Sequence, residues 1–277
     1  MAMNQDWLDW TATNIARGCS PVELCEILRS HGFVEAEIRQ AMAAQYPHDA
    51  NDHHDQGIDY AALAQPPLLQ RLTSLGGYLY PDERLQLVVL PTFLSSDECE
   101  RIMAMMDSKL RPSTVTTGNL HYGYRTSSTC DLGQMGEPYI AAIDQKIADT
   151  LGIDEAWAET TQAQKYLVGQ EFKAHTDYFQ PSTPEYAKYA GERGQRSWTF
   201  MIYLNNTKQG GATRFTKLHK DFLPEQGSAL IWNNLLPTGA PNPMTEHHGM
   251  PVIEGYKSII TKWFRDRGTG FMRTSGE

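Results

Sequence analysis

Five short β-prone segments crowd the second half of this 277-residue chain: Gln164 to Val168, Trp198 to Leu204, Ala212 to Phe215, Ser228 to Trp232 and Ser258 to Phe264. The second alternates Trp198, Phe200, Ile202 and Leu204, the period-two pattern of a strand with one face in a core. Turn-rich stretches such as Asn205 to Gly211 separate the segments, and Gly210 and Gly211 read as turn glycines that permit positive φ. Further upstream the texture differs. Ile140, Ile143, Ile147 and Leu151 recur at helical spacing and Gly152 follows, so residues 138–151 read as an amphipathic helix. After the apolar run Leu85 to Leu90, Ser95 and Glu98 make a capping box for a helix to about Met106. Helices first and many short strands later predict an α+β fold, with helices supporting a β-sandwich or barrel.

Residues 4–46 read as three short helices. The first carries Trp7, Leu8, Trp10 and Ile15 and stops at Gly18. The second opens on Ser20, Pro21 and Glu23, a capped start with proline at the first helical position, and ends at Gly32. The third carries Ile38, Ala41 and Met42. The set resembles a small bundle of the ubiquitin-associated type, which implies either a docking module for a carrier or client, or a packing appendage. Residues 47–57 (PHDANDHHDQG) are polar and aperiodic. A linker rarely preorganises a site, so His48, His53, His54 and Asp55 read as solvated rather than metal-binding. The expected organisation is an accessory domain over 1–46, a linker over 47–83 and a main domain over 84–277.

Composition narrows the partners. The formal net charge is −9, which argues against a nucleic-acid binder. No stretch reaches the ~18 apolar residues of a membrane helix, and the acidic, aromatic start Met1 to Trp10 does not read as a secretory signal. Cys19, Cys25, Cys99 and Cys130 lack CxxC spacing and read as buried thiols of a reducing compartment. These features predict a soluble, cytoplasmic chain with no nucleic-acid or membrane partner.

His175-Thr176-Asp177 follows a strand-like run. In extended chain, residues i and i+2 project from one face, so an imidazole and a carboxylate can converge. A third ligand must come from elsewhere, and His219, His247 and His248 are the candidates. Two histidines and one carboxylate form a facial triad, which suits non-haem Fe(II) with open coordination positions; His-x-Asp with a distant His is also compatible with a zinc hydrolase. A 2-oxo acid that fills open positions on such a metal has a distal carboxylate in need of a cation. Lys257, set among Val252, Ile253, Ile259 and Ile260, is the candidate. The alternative is that Lys257 faces solvent at a strand edge.

Residues 84–265 resemble the 2-oxoglutarate- and Fe(II)-dependent oxygenases of the prolyl 4-hydroxylase type. The resemblance lies in KYLVGQEFKAHTDYF (165–179), YLNNTKQGGATRF (203–215) and HHGMPVIEGYKSIITKW (247–263), with RTSS (125–128) and FLSSDEC (93–99) as earlier landmarks. It implies a double-stranded β-helix (jelly-roll) core, with His175, Asp177 and His247 as iron ligands. His247 stands four residues before Pro251 and ten before Lys257, as the family's distal histidine does. His248 misses that spacing by one, which along a strand turns a side chain to the opposite face. The resemblance further implies that Lys257 pairs with the distal carboxylate of 2-oxoglutarate, with Tyr166 and Thr199 hydrogen-bonding beside it and Trp263 near the pocket. The implied cofactors are Fe(II), 2-oxoglutarate and O2, with ascorbate as a supporting reductant. Phe172 departs from the pattern, since the family often has tyrosine there, and this weakens a transfer of substrate identity.

The stretch Tyr178 to Gln195 reads as a candidate lid, with Tyr178, Arg193 and Arg196, together with Arg125, as candidate substrate contacts. Three functions follow as expectations. The first is hydroxylation of a prolyl residue in a peptide or protein. The second is hydroxylation or desaturation of a free or carrier-bound amino acid, with the N-terminal helices docking the carrier. The third is a non-catalytic binding protein that keeps the fold.

Overall fold

The computed structural model describes residues 3–33, 35–45, 58–64, 66–113, 124–181, 183–191 and 193–268. The N-terminal helices are α1 (Gln5–Ala16), α2 (Pro21–Ser30) and α3 (Glu35–Met42). Asn4 caps α1 through the Trp7 amide, and Gly18 and Gly32 adopt the positive φ that ends α1 and α2. Leu24, Cys25, Leu28, Ile38 and Met42 form a hydrophobic cluster of their own, flanked by Trp7 and Trp10. Cys25, Cys99 and Cys130 are buried, as expected, but Cys19 is exposed. It sits in the polar turn between α1 and α2, where no core reaches it.

The expected linker over 47–83 is corrected in part. Residues 47–57 lie outside the described residues, but 58–83 are largely folded, with α4 (Tyr60–Leu63), α5 (Pro66–Ser74) and β1 (Tyr78–Leu79). Tyr60, Leu63 and Leu72 belong to the main core. Three short elements between prolines and glycines carry too little periodicity to announce themselves in sequence.

Then follow β2 (Leu87–Leu90), α6 (Ser96–Asp107), β3 (Arg111–Pro112), β4 (Ser128–Asp131), α7 (Pro138–Leu151), β5 (Gln162–Tyr166), β6 (Phe172–His175), α8 (Pro184–Ala190), β7 (Arg196–Tyr203), β8 (Gln209–Gly210), β9 (Thr213–Phe215), β10 (Lys220–Phe222), β11 (Ala229–Asn233), β12 (His247–Gly249), β13 (Val252–Glu254) and β14 (Lys257–Arg265). The capping box at Ser95 and Glu98 is present, and Gly152 closes α7 in the left-handed region. An eight-stranded sheet runs β1-β2-β11-β7-β14-β5-β4-β3, and a four-stranded sheet runs β10-β9-β12-β6. Every pairing of named strands is antiparallel.

The large sheet is covered on both faces, so β7 is buried along nearly its whole length. Trp198, Phe200, Ile202 and Leu204 point to the helix side, where they pack with Ile102 of α6 and Ile143 and Ile147 of α7. The alternate residues Met201 and Tyr203 join Leu230, Trp232 and Ile259 on the other side, against Phe215 and Phe222 of the small sheet. With a third, two-stranded sheet β13-β8 beside the two larger ones, this α+β architecture is a jelly-roll with supporting helices. Ser95→Ala is expected to cost about 1 kcal/mol through the lost cap. Phe200→Ala is expected to cost about 3–5 kcal/mol through a core cavity. Urea unfolding midpoints check both, and comparable losses would contradict the packing described.

Candidate active site

Strand β6 pairs with β12 so that His175 stands directly opposite His247. Opposed residues of an antiparallel pair project to one face, and the two imidazole centroids lie 4.3 Å apart. Asp177 lies just past the end of β6, with Oδ1 3.9 Å from His175 Nε2. Ligand atoms of all three residues fall within 4.8 Å of one another, the one such group of His, Cys, Asp or Glu among the described residues. His175 Nδ1 is 2.8 Å from the Lys173 carbonyl and His247 Nδ1 is 2.9 Å from the Thr245 carbonyl. A carbonyl only accepts, so each Nδ1 carries a proton, and Nε2 is the nitrogen that could face a metal.

Burial, then the neighbouring His247, holds His175 well below the usual histidine range, so it is a neutral ligand. Burial pushes the Asp177 carboxyl up, but His247, His175, Arg196 and the Thr199 hydroxyl outweigh it and keep the group ionised. Asp177 Oδ2 accepts the Thr199 hydroxyl at 2.8 Å, and the Asn234 amide donates to that hydroxyl at 2.8 Å. Two imidazoles and one carboxylate on one side of a cavity are a donor set that fits a divalent transition metal with open positions.

Among the other candidates, His219 is exposed in a turn at φ 51° and is not part of the cluster. His248 turns away to Glu171, 2.8 Å from its carboxylate.

Lys257 lines the same cavity and is 2% exposed, which excludes the solvent-facing alternative. It stands opposite Tyr166 on β5, and its Nζ is 3.3 Å from Thr213 Oγ1. Five residues on and on the opposite face, Lys262 is equally buried but has Asp144 at 3.1 Å. Among the described residues no carboxylate pairs with Lys257. Burial draws its ammonium from 10.5 down to about 7. An unpaired cation in an apolar pocket is costly, and an anion entering the cavity would relieve that cost. The donors here thus fit both halves of a metal-chelating dianion.

The remaining sequence candidates separate. Tyr166 lines the cavity, its hydroxyl donating to Gln164 at 2.9 Å. Trp263 also lines it, with the indole N–H unpartnered among the described residues. Thr199 is corrected: its hydroxyl is committed to Asp177 and Asn234, not to the Lys257 end, because it sits on β7 beside Asp177. Thr213 and Tyr203, bonded to each other at 2.7 Å, occupy that end instead. The GGATRF run contained Thr213, but nothing in sequence aimed it at Lys257.

Arg196 is corrected as a free substrate cation. Glu159 holds it by two bonds of 2.6 and 2.8 Å, while its guanidinium lies 4.1 Å from the Trp263 ring centre. Glu159 carries no sequence signal. Arg193 is spent on the carbonyls of Ala156 and Ala158. Arg125 lies 4.8 Å from the centre of the Phe172 ring, which stacks on His175 at 3.5 Å. Tyr178, Arg125 and Trp263 face a larger outer basin that adjoins the inner cavity. The expected lid contains α8 and is tied at its base, where the Gln195 side chain bridges the Phe179 amide and carbonyl at 2.7 Å each.

Comparison with known proteins agrees with this geometry. Residues 161–265 match the family model described as the 2OG-Fe(II) oxygenase superfamily. The chain is 32% identical over 184 residues to prolyl 4-hydroxylase subunit alpha-1 of Gallus gallus, covering 65% of this chain and 36% of that protein. It therefore spans about a third of that relative's length. The fold matches a viral collagen prolyl hydroxylase from Paramecium Bursaria Chlorella virus-1 in complex with 2OG (TM-score 0.50, 24% identity, 65% of this chain and 95% of that one). It also matches a Trichoplax adhaerens prolyl hydroxylase in complex with a hypoxia inducible factor peptide (TM-score 0.50, 13% identity, 77% and 93%). The stretch that matches the 2OG-Fe(II) oxygenase superfamily, residues 161–265, is the one that carries His175, Asp177, His247 and Lys257. Domains of this class use Fe(II) and 2-oxoglutarate. No helix among the described residues is long and apolar enough to cross a membrane.

Because the unfolded chain keeps Lys257 protonated up to about 10.4, it binds more protons than the folded chain between about pH 7 and 10. This group therefore makes ligand-free stability rise with pH over that window. Lys257→Met is expected to flatten the rise and to stabilise the ligand-free protein most at or below about pH 7. Urea unfolding at about pH 6, 8 and 10 checks this, and an unchanged slope would count against a buried, unpaired lysine.

Proposed function

We propose that this chain is a 2-oxoglutarate- and Fe(II)-dependent hydroxylase acting on a prolyl residue of a peptide or protein. One observation carries the reading: a two-histidine, one-carboxylate cluster shares a cavity with a buried lysine that no described carboxylate neutralises.

In this reading His175, Asp177 and His247, which line the cavity, would hold the iron. Lys257 binds the distal carboxylate of 2-oxoglutarate, with the Thr213 hydroxyl beside its Nζ. Met201, Trp232, Ile259 and Tyr166 wall the cavity and keep water out. When bound, the iron and 2-oxoglutarate supply the oxidising chemistry: O2 and 2-oxoglutarate are consumed, succinate and CO2 are released, and a C–H bond becomes C–OH. Thr199 fixes the Asp177 carboxylate, and Phe172 braces the His175 ring from the side of the outer basin.

The relatives' names support a prolyl substrate, and so does the outer basin. Tyr124, Tyr178, Phe179, Tyr189 and Trp263 line it, an aromatic surface of the kind that receives extended proline-rich chain. Helices α1–α3, with their separate core, are proposed as an accessory domain, to which a carrier or client could dock.

The test is an anaerobic titration of metal-free protein with Fe(II) and 2-oxoglutarate, following the visible band of the chelate. His247→Ala and Asp177→Ala are expected to abolish the band and His248→Ala to keep it. Lys257→Ala is expected to weaken 2-oxoglutarate binding at least about 30-fold. In air, succinate release should rise with proline-rich peptides. A wild-type protein that folds but gives no band would refute the oxygenase reading, whereas a band with no peptide response would refute only the substrate.

A further inference from the structure

We propose that Tyr60 is a positioning residue for the Asp177 loop, acting through Asp266 and Gln195. Tyr60 belongs to α4, outside the residues that match the oxygenase family. Its ring is 3% exposed and is seated against Gly239, where a Cβ would come within 2.7 Å of it. Its hydroxyl donates to Asp266 Oδ2 at 2.8 Å. Asp266 is fully buried, and its other oxygen accepts the Gln195 amide at 2.9 Å. The Asp266 amide returns a 2.8 Å bond to the Gln195 carbonyl.

The relay then turns toward the metal ligands. Gln195 Nε2 donates to the Phe179 carbonyl, and Gln195 Oε1 accepts the Phe179 and Arg196 amides. Phe179 stands two residues beyond Asp177, and the Arg196 guanidinium reaches the Asp177 carbonyl at 3.3 Å. Gly194, at φ +73°, makes the close approach possible, since a Cβ there would overlap the Asp266 carboxylate.

Each link is buried and directional, so the links do not substitute for one another. Without the Tyr60 hydroxyl, one oxygen of a buried carboxylate loses that donor, a costly state. Asp266 relieves it by shifting, and Gln195 must follow because it is bonded to Asp266 twice. The base of the 178–195 segment then loosens, and Asp177 and the rim of the outer basin loosen with it. Residues 58–64 thereby become part of the site's scaffold rather than a spacer ahead of it.

The inference rests on the proposed oxygenase reading only for the metal, so the experiment has one arm that needs no metal. Full-length wild type, Tyr60→Phe, Gln195→Met, their double variant and the control Thr150→Val on α7 are compared by amide hydrogen exchange and by Co(II) titration. Tyr60→Phe is expected to speed exchange across 178–195 about tenfold while α7 exchanges as in wild type. Co(II) affinity should fall at least about threefold, and the double variant should bind Co(II) no more weakly than Gln195→Met alone. Thr150→Val should leave both the 178–195 exchange and the Co(II) affinity as in wild type. Unchanged exchange over 178–195, a uniform increase over the whole chain, or additive Co(II) losses would each overturn the proposal. Absence of Co(II) binding in wild type would strike the metal reading instead, and the exchange arm would still decide the relay.

Discussion

The whole site hangs on one strand pairing. Antiparallel alignment of β6 with β12 sets His175 opposite His247 without any long-range adjustment of side chains. A slip of one residue would bring His248 to that face and carry His247 to the outside. The register is held from both sides of β12, because β9 pairs with it as well, with Phe215 opposite His247. The hydrogen bonds from each Nδ1 to a carbonyl two residues earlier then orient the rings. Backbone geometry, rather than a set of dedicated side chains, does most of the preorganisation.

Electrostatics divides the buried charges into two kinds. Glu159 is shared by Arg196 and Arg265 beside Asp177, and Lys262 is paired with Asp144. Each of these cations already has a carboxylate partner. Lys257, on the same strand as Lys262, meets the neutral Thr213 hydroxyl and the Tyr166 and Tyr203 rings, with no carboxylate beside it among the described residues. The strand's alternation sends one lysine to the helix side, where acids wait, and the other to the inter-sheet cavity, where none of the described residues does.

Much of this was legible in sequence, because period and spacing are local quantities. The alternation in β7, the capping box at Ser95 and the ten-residue interval from His247 to Lys257 all survive as geometry. What sequence missed depends on which distant residue arrives at a given point. Glu159 claims Arg196 from an irregular stretch with no motif, so a paired arginine and a free one look alike in sequence. Thr199 was aimed at the wrong end of the cavity, since strand position gives the face of a residue but not which neighbour its hydroxyl meets. Residues 58–83 read as linker because α4 and β1 are too short to show a period, although Tyr60 and Leu63 are deeply buried.

His247 stands on the small sheet and Lys257 on the large one, facing each other across the cavity. Packed sheets keep a nearly constant separation of about 10 Å. A small molecule that grips a metal at one wall and a cation at the other is therefore measured by the architecture itself. Its chain length is gauged by the gap between two layers, and this gauge cannot be reset by exchanging the residues that line it. For a ligand held in that way, specificity for length would be a property of the jelly-roll rather than of the rim and loops outside it.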